Sequence, residues 1–286
     1  MKGQIIKIVS DLHIVSANGK KYDCKCRGKF RKMKILPLVG DYVLFDPEKC
    51  VIDEILPRKN EFFRPKVSNI DQAVLVTSLK TPDFSLNLLD KLIVLMEDEN
   101  VDIIICITKR DLLTSSELEE IDEELMYYKK LGYTVIDNTE IQKLKELLNN
   151  KTTVFTGQTG AGKSTLLNKL NPNFNLDTGE VSIALGRGRH TTRVVELFLF
   201  GDGKVLDTPG FSALSFSSIT NEKIRDCFKE FSLYPCPFKD CMHTKEEDCC
   251  VKKAVSSNNI MKSRYDNYLK FIDGKWFYAS FYFFFK

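Results

Sequence analysis

No stretch of this sequence is apolar for long enough to cross a bilayer. The aromatic run WFYASFYFFFK, residues 276–286, falls well short of the ~20 residues a spanning helix needs. The opening MKGQIIKIVSDLHIV lacks a long apolar core followed by a small-residue cleavage site, so the chain is expected in the cytoplasm, without membrane contact. Internal repeats and low-complexity linkers are also missing, which leaves ordinary globular units. Cysteine, by contrast, is plentiful, with nine residues. A chain of 286 residues does not need disulfide staples, and five of the nine fall within residues 227–250, a clustering that in a cytosolic protein favours metal. The length accommodates two or three compact units, each with its own core.

The net charge of +3 hides an asymmetry. Residues 1–66 hold 15 Lys/Arg against 8 Asp/Glu, and the remainder 27 against 31. The densest segment, KKYDCKCRGKFRKMK at residues 20–34, has eight basic residues and one acid, Asp23. With Tyr22 and Phe30 interleaved it reads either as a surface that stacks bases and neutralises phosphates or as a solvated hairpin edge.

Short apolar runs (QIIKIV, HIVSA, YVLFD, CVIDEIL) broken by turn residues fill residues 1–66, and no helical period survives among them. They predict a small barrel resembling an oligonucleotide-binding fold, with LPRKNEFFRPK as its exit and linker. From Asp71 the pattern becomes AVLVTS (strand), LNLLDKLIVLMEDEN (helix), VDIIICIT (strand), the spacing of a parallel α/β sheet. A further helix ends at Gly132, TVIDN supplies another strand, and IQKLKELLNN precedes the strand VFTG. Beyond about Thr220 the chain turns helical around the cysteine cluster. The domains predicted are 1–66, 67–219 and 220–286.

Gly157-Gln158-Thr159-Gly160-Ala161-Gly162-Lys163-Ser164, followed by Thr165, fits G-x-x-x-x-G-K-[ST] between a β-branched strand and a helix. Glycines let backbone N–H groups curl around a β-phosphate, Lys163 bridges β- and γ-phosphates, and the Ser164 hydroxyl ligates Mg²⁺. Downstream, FLFGDGKVLDTPGF ends a strand at Asp207, placed to hold Mg²⁺ through water, with the Gly210 N–H available to a γ-phosphate. Between them lies GRGRHTTR, in which either Thr191 or Thr192 can close over the metal as a switch.

Guanine is selected by a carboxylate that accepts from N1–H and the 2-amino group. Asn168-Lys169-Leu170-Asn171 lacks the acid, and Thr244-Lys245-Glu246-Glu247 sits inside the cysteine cluster. Upstream, Thr108-Lys109-Arg110-Asp111 comes directly off a buried strand, so Asp111 is the expected guanine reader. A reader that precedes its phosphate loop implies a circularly permuted GTPase.

The order of basic barrel, TKRD, GQTGAGKST, GRGRHTT, DTPGF and a Cys/His cluster resembles the ribosome small-subunit-dependent GTPase A (RsgA/YjeQ) family over nearly the whole chain. The resemblance implies an oligonucleotide-binding-fold N-domain, a permuted GTPase core and a C-terminal zinc domain. It also implies binding of GTP and GDP, contact with the small ribosomal subunit and its rRNA, and hydrolysis stimulated by that subunit during late maturation. Two departures stand out. Thr108 replaces the commoner Asn, which is expected to weaken support to the phosphate loop, and Asn138-Thr139 stand where Ser-Ala is frequent.

Many GTPases place Gln after the D-x-x-G glycine to orient water; here the residue is Phe211, so intrinsic hydrolysis is expected to be slow. His190, beside the switch threonines, is the in-chain candidate for positioning water, as the resemblance also suggests. Cys236-x4-Cys241-x-His243-x5-Cys249 supplies the three thiolates and one imidazole that Zn²⁺ accepts in a closed structural site, with Cys250 as an alternative to Cys249 that the family spacing disfavours. Cys24 and Cys26 read as plain strand residues. Lys252, Lys253, Lys262, Arg264 and Lys270 lie on a helical stretch that either grips rRNA or is solvated. The leading expectation is a monomeric Mg²⁺-dependent GTPase; the alternative is an RNA-binding module that GTP switches with little turnover.

Overall fold

The structure, a computed structural model, describes residues 1–28, 30, 35–63, 66–174, 195–207, 216 and 219–282. The fold is multidomain α/β, and its first unit is a five-stranded barrel. Strands β1 (Lys2–Val9), β2 (Leu12–Ala17), β3 (Lys20–Cys26), β4 (Tyr42–Asp46) and β5 (Val51–Ile55) pair in the order β1-β2-β3-β5-β4, and β4 closes onto β1. Closure removes the edge strands that a basic sheet of this size would otherwise expose. In β2 the buried residues alternate as His13, Val15 and Ala17, the period of a strand with one face inward.

Two expectations about this unit change. Phe30 is 5 % exposed and belongs to the barrel core, and Tyr22 packs on Phe45 with ring centroids 5.0 Å apart. These rings fill the barrel instead of offering stacking platforms; the exposed Lys20, Lys21 and Lys25 keep the positive surface. Nor is the segment after β5 a free linker. Asp41, fully buried, accepts from Arg58 Nε at 2.7 Å, Ser68 Oγ at 2.6 Å and the Leu38 N–H at 2.8 Å. Short strands β6 (Glu61–Phe63) and β7 (Lys66–Ser68) pair with each other, so the segment is pinned to the barrel.

The second unit is built on β8 (Gln72–Ser78), β9 (Asp102–Thr108), β10 (Thr134–Asp137), β11 (Thr152–Gly157), β12 (Glu196–Phe200) and β13 (Gly203–Asp207). Their order is β10-β9-β8-β11-β13-β12, parallel except for the β12–β13 hairpin. The central strands are buried along nearly their whole length because helices cover both faces. α1 (Leu86–Asp98), N-capped by Ser85, and α2 (Ser115–Lys130) pack on one face. α3 (Ile141–Leu148) and α4 (Lys163–Leu170) pack on the other. β12 also meets β1 at the pair Lys7 and Glu196, whose side chains form an ion pair, making one continuous 11-stranded sheet.

The C-terminal unit consists of α5 (Asn221–Asp226), a 3₁₀ turn (Lys229–Leu233), α6 (Cys250–Ser256) and α7 (Lys262–Tyr282). The helical stretch that carries Lys252, Lys253, Lys262, Arg264 and Lys270 is two helices, separated where Asn258 adopts φ 58°. Arg264 is not on a nucleic-acid-facing surface: it is fully buried, bonded to Asp90 at 2.6 Å and Glu230 at 2.5 Å. No described helix is long and apolar enough to cross a membrane.

Candidate functional site

The phosphate loop leaves β11 at Gly157 and enters α4 at Lys163. Gly157 has φ 146°, and a Cβ there would stand 2.1 Å from the Val76 carbonyl oxygen, so only glycine lets the loop pass β8 this closely. Gly160 and Gly162 adopt φ 79° and 95°. The Lys163 ammonium folds back, donating to the Gly157 and Gln158 carbonyl oxygens at 2.8 and 2.9 Å. Ser164 is half-buried in the first turn of α4 and Thr165 is exposed beside it.

β9 brings the sequence-predicted reader to this loop. β9 and β11 flank β8, with Thr108 opposite Ser78 and Gly157 opposite Val76, so both strands end at the same edge of the sheet. The Thr108 hydroxyl, 2 % exposed, donates to the Ala161 carbonyl oxygen at 2.7 Å. Lys109, at φ 60°, donates to the Gly160 carbonyl oxygen at 2.8 Å. Threonine in the first position thus supplies a hydrogen bond to the loop. Arg110 turns outward to an ion pair with Asp122, and Asp111 is exposed on the 3₁₀ turn Arg110–Leu112. The Asn138 N–H donates to the Ile107 carbonyl at 2.8 Å, which sets the following loop at the end of β9, and the Thr139 hydroxyl donates to the Asp137 carboxylate at 2.8 Å.

One participant was not legible from the sequence: the Thr81 carbonyl also accepts from Lys109. Its loop lies 3.6 Å, at the Pro82 Cδ, from where a Gly160 Cβ would stand. No motif marks that turn. Asp207 ends β13 next to Phe155 of β11, close in register to the phosphate loop. The Asp207 side chain, with His190, Thr191, Thr192, Gly210 and Phe211, lies outside the described residues.

The four cluster residues converge. The ligand atoms of Cys236, Cys241, His243 and Cys249 all lie within 4.8 Å of one another. His243 Nδ1 stands 3.3 Å from Cys241 Sγ, 3.3 Å from Cys249 Sγ and 3.6 Å from Cys236 Sγ, while Cys236 and Cys249 sulfurs are 3.8 Å apart. A tetrahedral ion with ~2.3 Å bonds to sulfur and ~2.0 Å to nitrogen requires edges of about 3.8 and 3.5 Å. The donor set therefore fits a single metal ion. Burial pushes the Cys241 and Cys249 thiols up, while the Val251 and Cys250 backbone N–H groups draw the Cys236 thiol down against its burial, so all three would ionise together only around a cation.

The surrounding bonds orient the ligands. The Cys250 and Lys252 N–H groups point at Cys236 and Cys249 sulfurs at 3.2 and 3.4 Å. Glu246 accepts from the Met242 and Thr244 N–H groups at 2.8 and 2.7 Å, and the Tyr265 hydroxyl donates to the His243 carbonyl at 2.7 Å. Glu246 thus builds the metal loop, in keeping with its rejection as a base reader.

Comparison with known proteins is consistent over nearly the whole chain. The RsgA GTPase family model matches residues 55–217 and the RsgA N-terminal domain model residues 2–50. The Small ribosomal subunit biogenesis GTPase RsgA of Latilactobacillus sakei is 47% identical over 281 residues, 94% of each chain. Its namesake in Enterococcus faecalis is 45% identical over 280 residues, 95% of this chain and 94% of the other. The crystal structure of YjeQ from Thermotoga maritima superposes with a TM-score of 0.83 at 34% identity, covering 96% of this chain and 97% of that one. YloQ, described as a circularly permuted GTPase, gives 0.79 at 38% identity, with 96% and 94% covered.

Proposed function

This chain belongs to the RsgA GTPase family, and on that premise we propose that it hydrolyses GTP on the small ribosomal subunit during the subunit's biogenesis, at a rate the subunit raises. The observation that supports the nucleotide half is the pair of bonds from Thr108 and Lys109 to the phosphate loop, which hold the turn carrying Asp111 beside that loop. The ribosomal half rests on the names of the relatives and on the basic barrel.

In the proposed site Asp111 accepts from guanine N1–H and the 2-amino group, and the Lys109 stem packs along the base. Backbone N–H groups of residues 157–162 receive the phosphates, and Lys163 exchanges its two carbonyl partners for β- and γ-phosphate oxygens. Mg²⁺, held by Ser164, by Thr191 or Thr192 and through water by Asp207, would neutralise charge on the leaving phosphates. Gly210 offers its N–H to the γ-phosphate, and His190 orients the attacking water in place of the glutamine that Phe211 supplants. The Cys236, Cys241, His243 and Cys249 shell would hold one Zn²⁺ in a structural role, since four protein donors leave no open position for water. Exposed lysines of the barrel face rRNA, and the protein acts as a cytoplasmic monomer.

GTP turnover measured with and without purified small subunits tests the reading. Stimulation of about tenfold or more is expected. An unchanged rate would leave GTP as an affinity switch for an RNA-binding protein.

A further inference from the structure

Two consecutive residues of the loop between β8 and α1 reach the two ends of the turn that carries Asp111. At its start, the Lys109 ammonium donates to the Thr81 carbonyl oxygen and, at 2.8 Å, to the Gly160 carbonyl oxygen. At its finish, the Lys80 ammonium donates to both carboxylate oxygens of Glu117, at 3.0 and 3.3 Å. Glu117 in turn accepts from the Thr114 N–H at 2.8 Å and from the Thr114 hydroxyl at 3.0 Å. Between Lys109 and Thr114 the chain has four residues, Arg110 to Leu113. A segment this short has few conformations left once both of its ends are fixed.

The loop that holds these ends is itself seated. The Leu79 N–H donates to the Thr108 carbonyl oxygen at 3.1 Å, and the Ser78 hydroxyl donates to the Lys80 carbonyl oxygen at 2.8 Å. Leu79 is buried, and Pro82 lies against the phosphate loop at Gly160. Lys80 therefore leaves from a fixed backbone and ties the first turn of α2 to it. Within the reader turn, Arg110 pairs with Asp122 further along α2, so a shift of that helix would carry the turn with it.

We propose that Lys80 is a positioning residue for guanine recognition, acting through Glu117 to hold the turn that presents Asp111 to the base. The inference rests on the assignment of Asp111 as guanine reader. Both partners are partly exposed, at 40 and 43 %, and an ion pair of this kind adds little to overall stability. Its effect falls on recognition instead, because apparent affinity scales with the fraction of molecules whose site is in the competent arrangement. Guanine offers Asp111 two donors, N1–H and the 2-amino group. A displaced turn thus costs guanine more than it costs a base with N1–H alone.

Affinities of the full chain for GDP, IDP and ADP, measured by calorimetry on the native protein, Lys80→Met, Lys80→Arg and Lys151→Met, test it. The hypoxanthine of IDP keeps N1–H and lacks the 2-amino group. Lys151 forms a partly exposed ion pair with Asp102 at the opposite end of β9 and serves as control. The native protein is expected to prefer GDP to both other nucleotides. Lys80→Met is expected to weaken GDP binding about three- to fivefold and IDP binding less than about twofold, so that the preference between them falls. Lys80→Arg, which can still pair with Glu117, is expected to restore the native preference, and Lys151→Met to retain it.

An unchanged GDP-to-IDP preference in Lys80→Met overturns the proposal, as does an equal loss for both nucleotides, which marks general attraction of phosphate by the lysine charge. Failure of Lys80→Arg to recover the preference, or the same fall in Lys151→Met, overturns it as well. Should Lys80→Met not fold, Lys80→Gln decides on the same ratio. A native protein that does not prefer GDP to ADP sinks the parent reading and this inference together, whereas a native preference that survives the loss of the Lys80 charge sinks the inference alone.

Discussion

The Thr108 hydroxyl donates to the Ala161 carbonyl oxygen at 2.7 Å, joining two loops 53 positions apart in the chain. The bond is buried, and it fixes the spacing between the turn that carries Asp111 and the loop that carries Lys163. Two strands of a parallel sheet, separated by β8, deliver the loops to the same edge, so the genetic order of reader and cradle does not matter to the site.

Replacing Thr108 by valine keeps the bulk and leaves the Ala161 carbonyl without that partner, a loss of about 1–2 kcal/mol. GTP and GDP are expected to bind about 5- to 30-fold more weakly, in equal proportion, in a fluorescent-nucleotide titration. Thr108→Ser, which keeps the donor, is expected near native. Undiminished affinity in the valine variant would show that the bond does not support the loop.

Arg264→Met removes a buried cation and strands the Asp90 and Glu230 carboxylates, which is expected to destabilise the folded chain by about 3–5 kcal/mol in denaturant unfolding. Arg264→Lys is expected to recover little, since ammonium cannot reproduce the fork that holds Glu230 through two nitrogens. Full stability of Arg264→Lys would contradict the bidentate account.

Glu117 supplies a pH-dependent contact at the start of α2. The Thr114 backbone N–H, then Lys80 and the Thr114 hydroxyl, hold its carboxyl down at about 2. A depressed folded-state pKa stabilises above the ordinary carboxylate range and loses that contribution as pH falls from about 4.5 toward about 2. Amide exchange in the first turn of α2, corrected for intrinsic rates, should therefore lose protection across that window, and Glu117→Gln should flatten the dependence. Identical profiles for both proteins would remove the Glu117 contact to the Thr114 N–H from the account.

Much of this was legible in the chain itself, for local reasons. The phosphate loop, the TKRD turn and the Cys/His spacing are short motifs whose neighbouring strands and helices carry clear periods. What escaped depends on distant partners. Phe30 and Tyr22 looked like exposed rings in a basic run, but inward positions of a closed barrel claim both. Arg264 looked like one more cation on a lysine-rich helix; its partners Asp90 and Glu230 are 174 and 34 positions away, and no local pattern announces them. The Thr108 bond escaped for the same reason, because whether threonine reaches a carbonyl depends on the angle at which two loops meet.

The most direct measurement is nucleotide selection by Asp111→Asn. Xanthine carries a carbonyl where guanine carries the 2-amino group, so an amide in place of the carboxylate offers it a donor and denies guanine an acceptor. The account predicts that the native protein prefers GTP to ATP and XTP, and that Asp111→Asn loses at least about a hundredfold in GTP affinity while gaining XTP binding. Native ATP binding as tight as GTP, or an Asp111→Asn protein that still holds GTP normally, would contradict it.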